Sequence, residues 1–362
     1  MPLTIKSLNG DTNFLLTFSP PSTSVSSHSL FPGSFTILID PWLTGSATIL
    51  SPLFSISERK GSPCIKSLKE LDQEPDLILI SQDKPDHCHE DTLRQLPREC
   101  QSTILAAPAA AKKIRSWKHF PSQLVQTLPE YVEGDAKSLY RIVLPPSSPR
   151  GSCGEVTVTL ISAKRDISGL HNGIGITYRP PCTATSVNST SYIDLPISPP
   201  PTPRSLIAIA SSPRTIVPSP YNDREKTMSV IYSPHGAPYD TVRPYASSHL
   251  VAESALPLTA LIHSFDRVDN PWYLGGNIST GSPGGLQIAQ NLFAQAWISA
   301  HDADKNNRGI SVQKVQILKY TPDKIREMLL KDSDKNKKKS NHINEIQIVT
   351  LASGQEYSTA RG

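Results

Sequence analysis

A four-layer α/β fold, two sheets packed face to face with helices outside (αββα), is what this sequence predicts, and three observations predict it. Short apolar runs rich in β-branched residues recur in both halves of the chain. Helical stretches fall between them, which is the alternation of a layered α/β domain rather than of a bundle or an all-β sandwich. Several of the runs stop abruptly in polar residues, as strands do when they deliver groups at their C-terminal ends.

In chain order, strands are expected near 3–8, 14–18, 35–40, 77–81, 103–106, 124–128, 156–161 and 174–178, then near 230–233, 258–263, 297–300, 312–318 and 346–351. Helices are expected at 65–71, 90–96, 109–117, 285–296 and 322–330. Pro108 opens the third of these, because proline's fixed φ and missing N–H suit a first helical turn. The Asn172-Gly173 pair reads as a hairpin turn.

The 362 residues suit one domain over 1–362, since layered α/β folds often fill roughly 250 residues as a single unit. Many of the 33 prolines lie in Ser/Pro-rich patches at 19–34, 145–152 and 196–220. Such composition disfavours helices and ladders alike, so these patches read as loop or disordered insertions, the last with one short strand at 206–210. A net charge of +4 is mild, and part of it comes from the Lys331 to Lys339 run, which reads as a solvated loop. That argues against a nucleic-acid partner.

Five cysteines, Cys64, Cys88, Cys100, Cys153 and Cys182, are scattered, with no Cys-x-x-Cys pair. They read as intracellular free thiols. No apolar run approaches the ~18 residues needed to cross a bilayer, and the N-terminus lacks a secretory pattern. A cytoplasmic protein with a small-molecule substrate and no membrane partner is expected.

The densest chemistry lies in DLILISQDKPDHCHEDTL, residues 76–93. A buried-strand pattern there runs straight into Ser81-Gln82-Asp83-Lys84-Pro85-Asp86-His87. This resembles the metallo-β-lactamase superfamily, in which a strand leads into Ser/Thr-His-x-His-x-Asp-His. Asp86 and His87 match the last two ligand positions, whereas Gln82 and Lys84 stand where the two leading histidines belong. The resemblance implies a metal-dependent hydrolase, but with at most one divalent metal, zinc foremost. Glutamine is a weak oxygen ligand, and an ammonium fills a cation's space rather than binding one.

By the same resemblance, Asp40 at the end of FTILID orients the metal loop by hydrogen bonding. His235 in SVIYSPHG stands at the family's fourth ligand motif, where many members have a bridging aspartate. His301 after WISA falls where the last histidine is supplied. The implied metal set is Asp86, His87, His235 and His301, with Asp86 and Lys84 acting on water and substrate in ester, amide or phosphoester hydrolysis.

Other residues have plainer readings. Cys88 reads as a small buried thiol and His89 as the start of a helix. His171 reads as part of a turn, and His263 as a site wall or a satisfied core histidine. Asp302, Asp304 and Asn306 alternate as in a calcium loop but lack its glycine and terminal glutamate. No Gly-x-Ser-x-Gly elbow or Gly-Lys-Ser/Thr signature occurs. The alternative to a metal-dependent hydrolase is a metal-free binding or scaffold protein on the same fold, with Lys84 paired to Asp83 or Asp86 where a cation once sat.

Overall fold

The computed structural model describes residues 2–19, 33–146, 152–164, 166, 169–181, 227–335 and 346–359. Leu77–Ile80 is buried at all four positions, because a parallel strand covered on both faces buries every side chain rather than alternate ones. It pairs in parallel with Phe35–Ile39 on one side and Thr103–Ala106 on the other. The sheet has seven strands, in the order Glu356–Ser358, Leu3–Ser7, Phe14–Phe18, Phe35–Ile39, Leu77–Ile80, Thr103–Ala106 and Val125–Thr127. Leu3–Ser7 and Phe14–Phe18 alternate buried and half-buried positions, as strands with one covered face do.

A second seven-stranded sheet runs Gln347–Val349, Ala296–Ser299, Ala260–His263, Met228–Ser233, Gly173–Arg179, Gly154–Ile161 and Tyr140–Leu144. Its first four strands are mutually parallel. The inner layer between the sheets packs Phe14, Leu16, Ile37 and Leu79 in one cluster with Val156, Ile176, Val230 and Ile262. Phe18 stacks on Tyr178 across it, with ring centroids 4.6 Å apart. Each such buried side chain contributes roughly 1.5–3 kcal/mol.

The outer face of the first sheet packs Ile78, Ile80 and Ile104 against Ala110 and Ile114 of the helix Pro108–Ser116. On the second sheet, Ile231, Leu261 and Trp297 meet Val242, Ile288 and Ile325 from the helices Tyr239–Tyr245, Ser282–Asn291 and Pro322–Lys335. The architecture is therefore αββα, as expected. No helix among the described residues is long and apolar enough to cross a membrane.

Several local expectations are corrected. The helix expected at 65–71 is only a single 3₁₀ turn, Leu68–Glu70, capped by the Ser67 hydroxyl. The helix at 90–96 shortens to Glu90–Leu93. The strand expected at 312–318 keeps only Gln316–Leu318, after a 3₁₀ turn at Ile310–Val312. Asn172-Gly173 is not a tight hairpin turn, because the strands that it was expected to join end at Ile161 and begin at Gly173. Two three-stranded sheets were not foreseen: Asn277–Ser279, Arg267–Asp269 and Gln316–Leu318, and Lys305–Arg308, Ser55–Arg59 and Ala47–Ile49. Their strands are short and largely polar, so hydrophobic periodicity does not mark them. The strand expected at 206–210, Cys182 and most of the Ser/Pro-rich patches lie outside the described residues.

One buried histidine gives the fold a pH dependence. His249, on a π turn at Ala246–Leu250, is buried with Nε2 3.0 Å from the Thr157 hydroxyl. Burial, with smaller contributions from neighbouring arginines, lowers it to about 4. The unfolded chain takes up this proton near pH 6.5 and the folded one only near 4, so stability present above pH 6.5 is lost as the pH falls through that window. Urea titrations are expected to lose about 2 kcal/mol through this group between pH 7.5 and pH 5. His249→Gln should flatten that part of the profile; an unchanged slope in the variant would refute the assignment.

Candidate metal centre

Parallel strands end on the same side of a sheet, so their C-terminal loops converge. The loops after Phe35–Ile39 and Leu77–Ile80 in one sheet carry Asp40 and the Ser81 to His87 segment, and the strands pair Ile39 with Leu79. Those after Met228–Ser233 and Ala296–Ser299 in the other carry His235 and His301. Asp40 and His301 both hold positive φ, 43° and 64°, an uncommon conformation for residues with a Cβ and one that persists where surroundings over-determine it. Gly236 at φ 80° turns the chain directly after His235. A Cβ there would collide with the Thr280 hydroxyl and the His263 ring.

One fully buried carboxylate organises the site. Asp40 accepts from the Ser81 N–H at 2.7 Å, the Ser81 hydroxyl at 2.5 Å, His87 Nδ1–H at 2.7 Å and the Tyr232 hydroxyl at 2.7 Å. It thereby ties the two sheets together and turns His87 Nε2 into the centre. His235 Nδ1–H donates to the Ile278 carbonyl at 3.1 Å, which likewise leaves its Nε2 facing inward. These tautomers are assigned from the partners of Nδ1.

The two Nε2 atoms face each other at 3.2 Å. With both Nδ1 hydrogens committed, two ring lone pairs meet, an arrangement that needs a shared proton or a cation between them. His87, His235 and His301 offer ligand atoms that all lie within 4.8 Å of one another. Asp86 Oδ2 lies 3.5 Å from His301 Nε2 and 3.9 Å from His87 Nε2. In a tetrahedral zinc site with ~2.0–2.1 Å bonds, neighbouring ligand atoms stand about 3.3 Å apart. The spacing and the donor types therefore fit a divalent ion.

Charge follows from this packing. Burial pushes His235 well below the usual histidine range, with His301, His87 and Lys305 adding to it. Burial and then the Lys305 ammonium lower His301. His87 is raised: burial opposes its charge, but Asp86 and Asp40 outweigh that. Burial alone would raise Asp86, yet His87, His301 and Lys305 together hold it low.

The structure brings Asp86, His87, His235 and His301 together but leaves Lys84 out. The Lys84 ammonium is one-third exposed and pairs with Asp83 at 3.1 Å. Gln82 is buried, and its Oε1 has no hydrogen-bond partner among the described residues. His89 caps the Glu90–Leu93 helix, accepting from Thr92 N–H. Burial first of all raises the Cys88 thiol to about 12, which leaves it inert. His171 lies with its ring nitrogens 3.2 and 3.1 Å from the Gly236 and Asn277 carbonyl oxygens, holding the His235 loop. His263 is fully buried, packed edge-on to Trp297. Asp302 accepts from the Phe265 and Asp266 N–H groups, a structural cap rather than a calcium ligand.

Two residues at the centre escaped the sequence reading. Lys305 Nζ lies 2.6 Å from His301 Nδ1 and 2.8 Å from Asp11 Oδ2, with its side chain only 8% exposed. Asp11 is buried, and its backbone carbonyl accepts from the His301 N–H at 3.1 Å. Burial alone would raise the Asp11 carboxyl, but Lys305 and His301 hold it far below the carboxylate range. Asp11 sits in a polar turn between the first two strands, and its nearness to residues 301–305 is set only by the sheets.

A model of the β-lactamase superfamily domain matches residues 24–143. No curated protein sequence matches. Among solved structures, the chain is similar to Igni18, a novel metallo hydrolase from the hyperthermophilic archaeon Ignicoccus hospitalis, at 10% identity and a TM-score of 0.44, covering 100% of both chains. It is also similar to YhfI, a metallo-β-lactamase fold protein from Bacillus subtilis, at 12% identity and a TM-score of 0.42, covering 99% of both.

Proposed function

We propose, for a chain whose residues 24–143 match the β-lactamase superfamily domain, the function of a hydrolase dependent on one divalent metal, with Asp86, His87, His235 and His301 as the ligand set. The observation that carries this reading is the pair of inward-facing imidazole nitrogens, 3.2 Å apart, each with its other nitrogen held by an acceptor. The missing leading histidines, replaced by Gln82 and Lys84, favour one ion rather than two.

A divalent ion supplies Lewis acidity, activating water and polarising a carbonyl or phosphoryl oxygen. The chain does the rest. Asp40 fixes the His87 ring and its tautomer, and the Ile278 carbonyl fixes His235. Asp86, 18% exposed at the rim, is ionised and placed to accept the proton of an attacking water. Zinc and a cytoplasmic setting remain parts of this proposal, as does an ester, amide or phosphoester substrate.

Elemental analysis after zinc loading and desalting tests it: about one equivalent is expected for the natural chain and under roughly a tenth for His235→Ala, because a folded site should fill. A natural chain that stays folded and takes up less than a tenth of an equivalent would sink the reading. The metal-free binding protein is the second reading, and the Lys305 ammonium on His301 is the observation that favours it.

A further inference from the structure

His301 Nδ1 has two neighbours that make opposite demands. The Lys305 ammonium, at 2.6 Å, can only donate, whereas Asp11 Oδ1, at 3.6 Å, can only accept. With Lys305 donating, Nδ1 carries the lone pair, and the hydrogen of the neutral ring sits on Nε2. That Nε2 lies 3.5 Å from Asp86 Oδ2. A ring in this form cannot offer Nε2 to a metal.

A metal ligand needs the reverse arrangement, with the hydrogen on Nδ1 and its partner a carboxylate, as metal-bound histidines generally have. Asp11 Oδ1 is placed for that role once Lys305 gives up the ring and keeps Asp11 Oδ2, which it already holds at 2.8 Å. The change leaves the ring neutral, because one hydrogen goes to water from Nε2 and one is taken from water at Nδ1.

Charge points the same way. The centre gathers three carboxylates, Asp11, Asp40 and Asp86, and the charge of Lys305 acts on Asp11, Asp86, His87, His235 and His301. Lys305 brings one positive charge to these carboxylates, and Arg59, which acts on Asp11 and lies over the Trp42 ring at 5.1 Å, brings another. The face of Trp42 borders the ammonium, with its ring centroid 5.8 Å from Nζ, so water screens the charge poorly.

We propose that Lys305 is an internal cation that competes with a divalent ion for the Asp11, Asp86 and His301 side of the centre. It restrains binding of that ion through His301. This rests on the single-metal reading above. It assigns Lys305 a positioning role rather than one in contact with substrate.

Zinc alone, titrated against a fluorescent chelator, tests it on the full chain. Lys305→Met is expected to bind zinc at least tenfold more tightly than the natural chain. Asp11→Asn/Lys305→Met, which removes the buried charges in pairs and keeps an acceptor for His301, should do the same if the single variant folds poorly. Nitrogen NMR of the zinc-free natural chain should place the His301 hydrogen on Nε2, moving to Nδ1 in the double variant.

If the natural chain takes zinc and both variants bind within threefold of it, the competition is wrong and the metal reading stands. If the natural chain takes none while the double variant takes one equivalent, the competition stands and the metal-dependent hydrolase falls. A His301 hydrogen found on Nδ1 in the natural zinc-free chain overturns the competition outright, and no binding by any of the three proteins overturns both.

Discussion

Asp40→Ala is expected to destabilise the fold by about 3–5 kcal/mol, the range for removing one member of a buried charged network. Four donors lose their acceptor: Ser81 N–H, the Ser81 and Tyr232 hydroxyls, and His87 Nδ1–H. All lie in buried residues, and each stranded donor costs about 1–3 kcal/mol less whatever rearrangement recovers. Alanine tolerates φ 43° less well than aspartate, which adds up to about 1 kcal/mol.

Asp40→Asn separates these causes. Asparagine tolerates the left-handed backbone and keeps one acceptor oxygen, so about half the loss is expected, measured as the shift in urea midpoint at constant m. His87 loses its orienting carboxylate in both variants, and zinc affinity should fall by about 10–100-fold. An Asp40→Ala protein within 1 kcal/mol of the natural chain would show that the network is dispensable, contrary to its position between the sheets.

Asp86→Asn tests the chemistry rather than the scaffold. Its side chain lies at the rim of the centre, 3.5 Å from His301 Nε2, so the fold should tolerate the change. In the role proposed for it, accepting the proton of the attacking water, Asp86 should contribute about 10²–10⁴-fold to turnover. Zinc-loaded natural chain and variant are to be compared on a 4-nitrophenyl ester and on bis(4-nitrophenyl) phosphate, which covers two of the substrate classes proposed. A variant that hydrolyses either compound as fast as the natural chain would remove Asp86 from the mechanism. Zinc-independent hydrolysis by the natural chain would remove the metal.

The layered fold was legible in the sequence because buried parallel strands carry apolar runs, as Leu77–Ile80 does at every position and Met228–Ser233 does over residues 230–232. The small sheets were not legible. A strand such as Lys305–Arg308, half-buried to exposed throughout, owes its pairing to Ser55–Arg59 rather than to its own pattern. The helix expected at 65–71 is reduced to one turn, in which Leu68 is the buried residue while the Ser67 hydroxyl and Gln95 side chain take the N–H groups of Lys69 and Leu68.

By itself, the sequence determined the αββα class through its apolar strand runs, and its resemblance to the metallo-β-lactamase superfamily nominated Asp40, Asp86, His87, His235 and His301 in the loops that follow those strands. Which ammonium serves the centre was decided only by the tertiary structure. Lys84 sits inside the motif but pairs with Asp83, while Lys305 and Asp11 come from opposite ends of the chain to meet at His301. The physical reason is that strand position is written in local hydrophobicity. The partner of a buried charge is chosen instead by desolvation, which acts between whichever groups the packed sheets bring together.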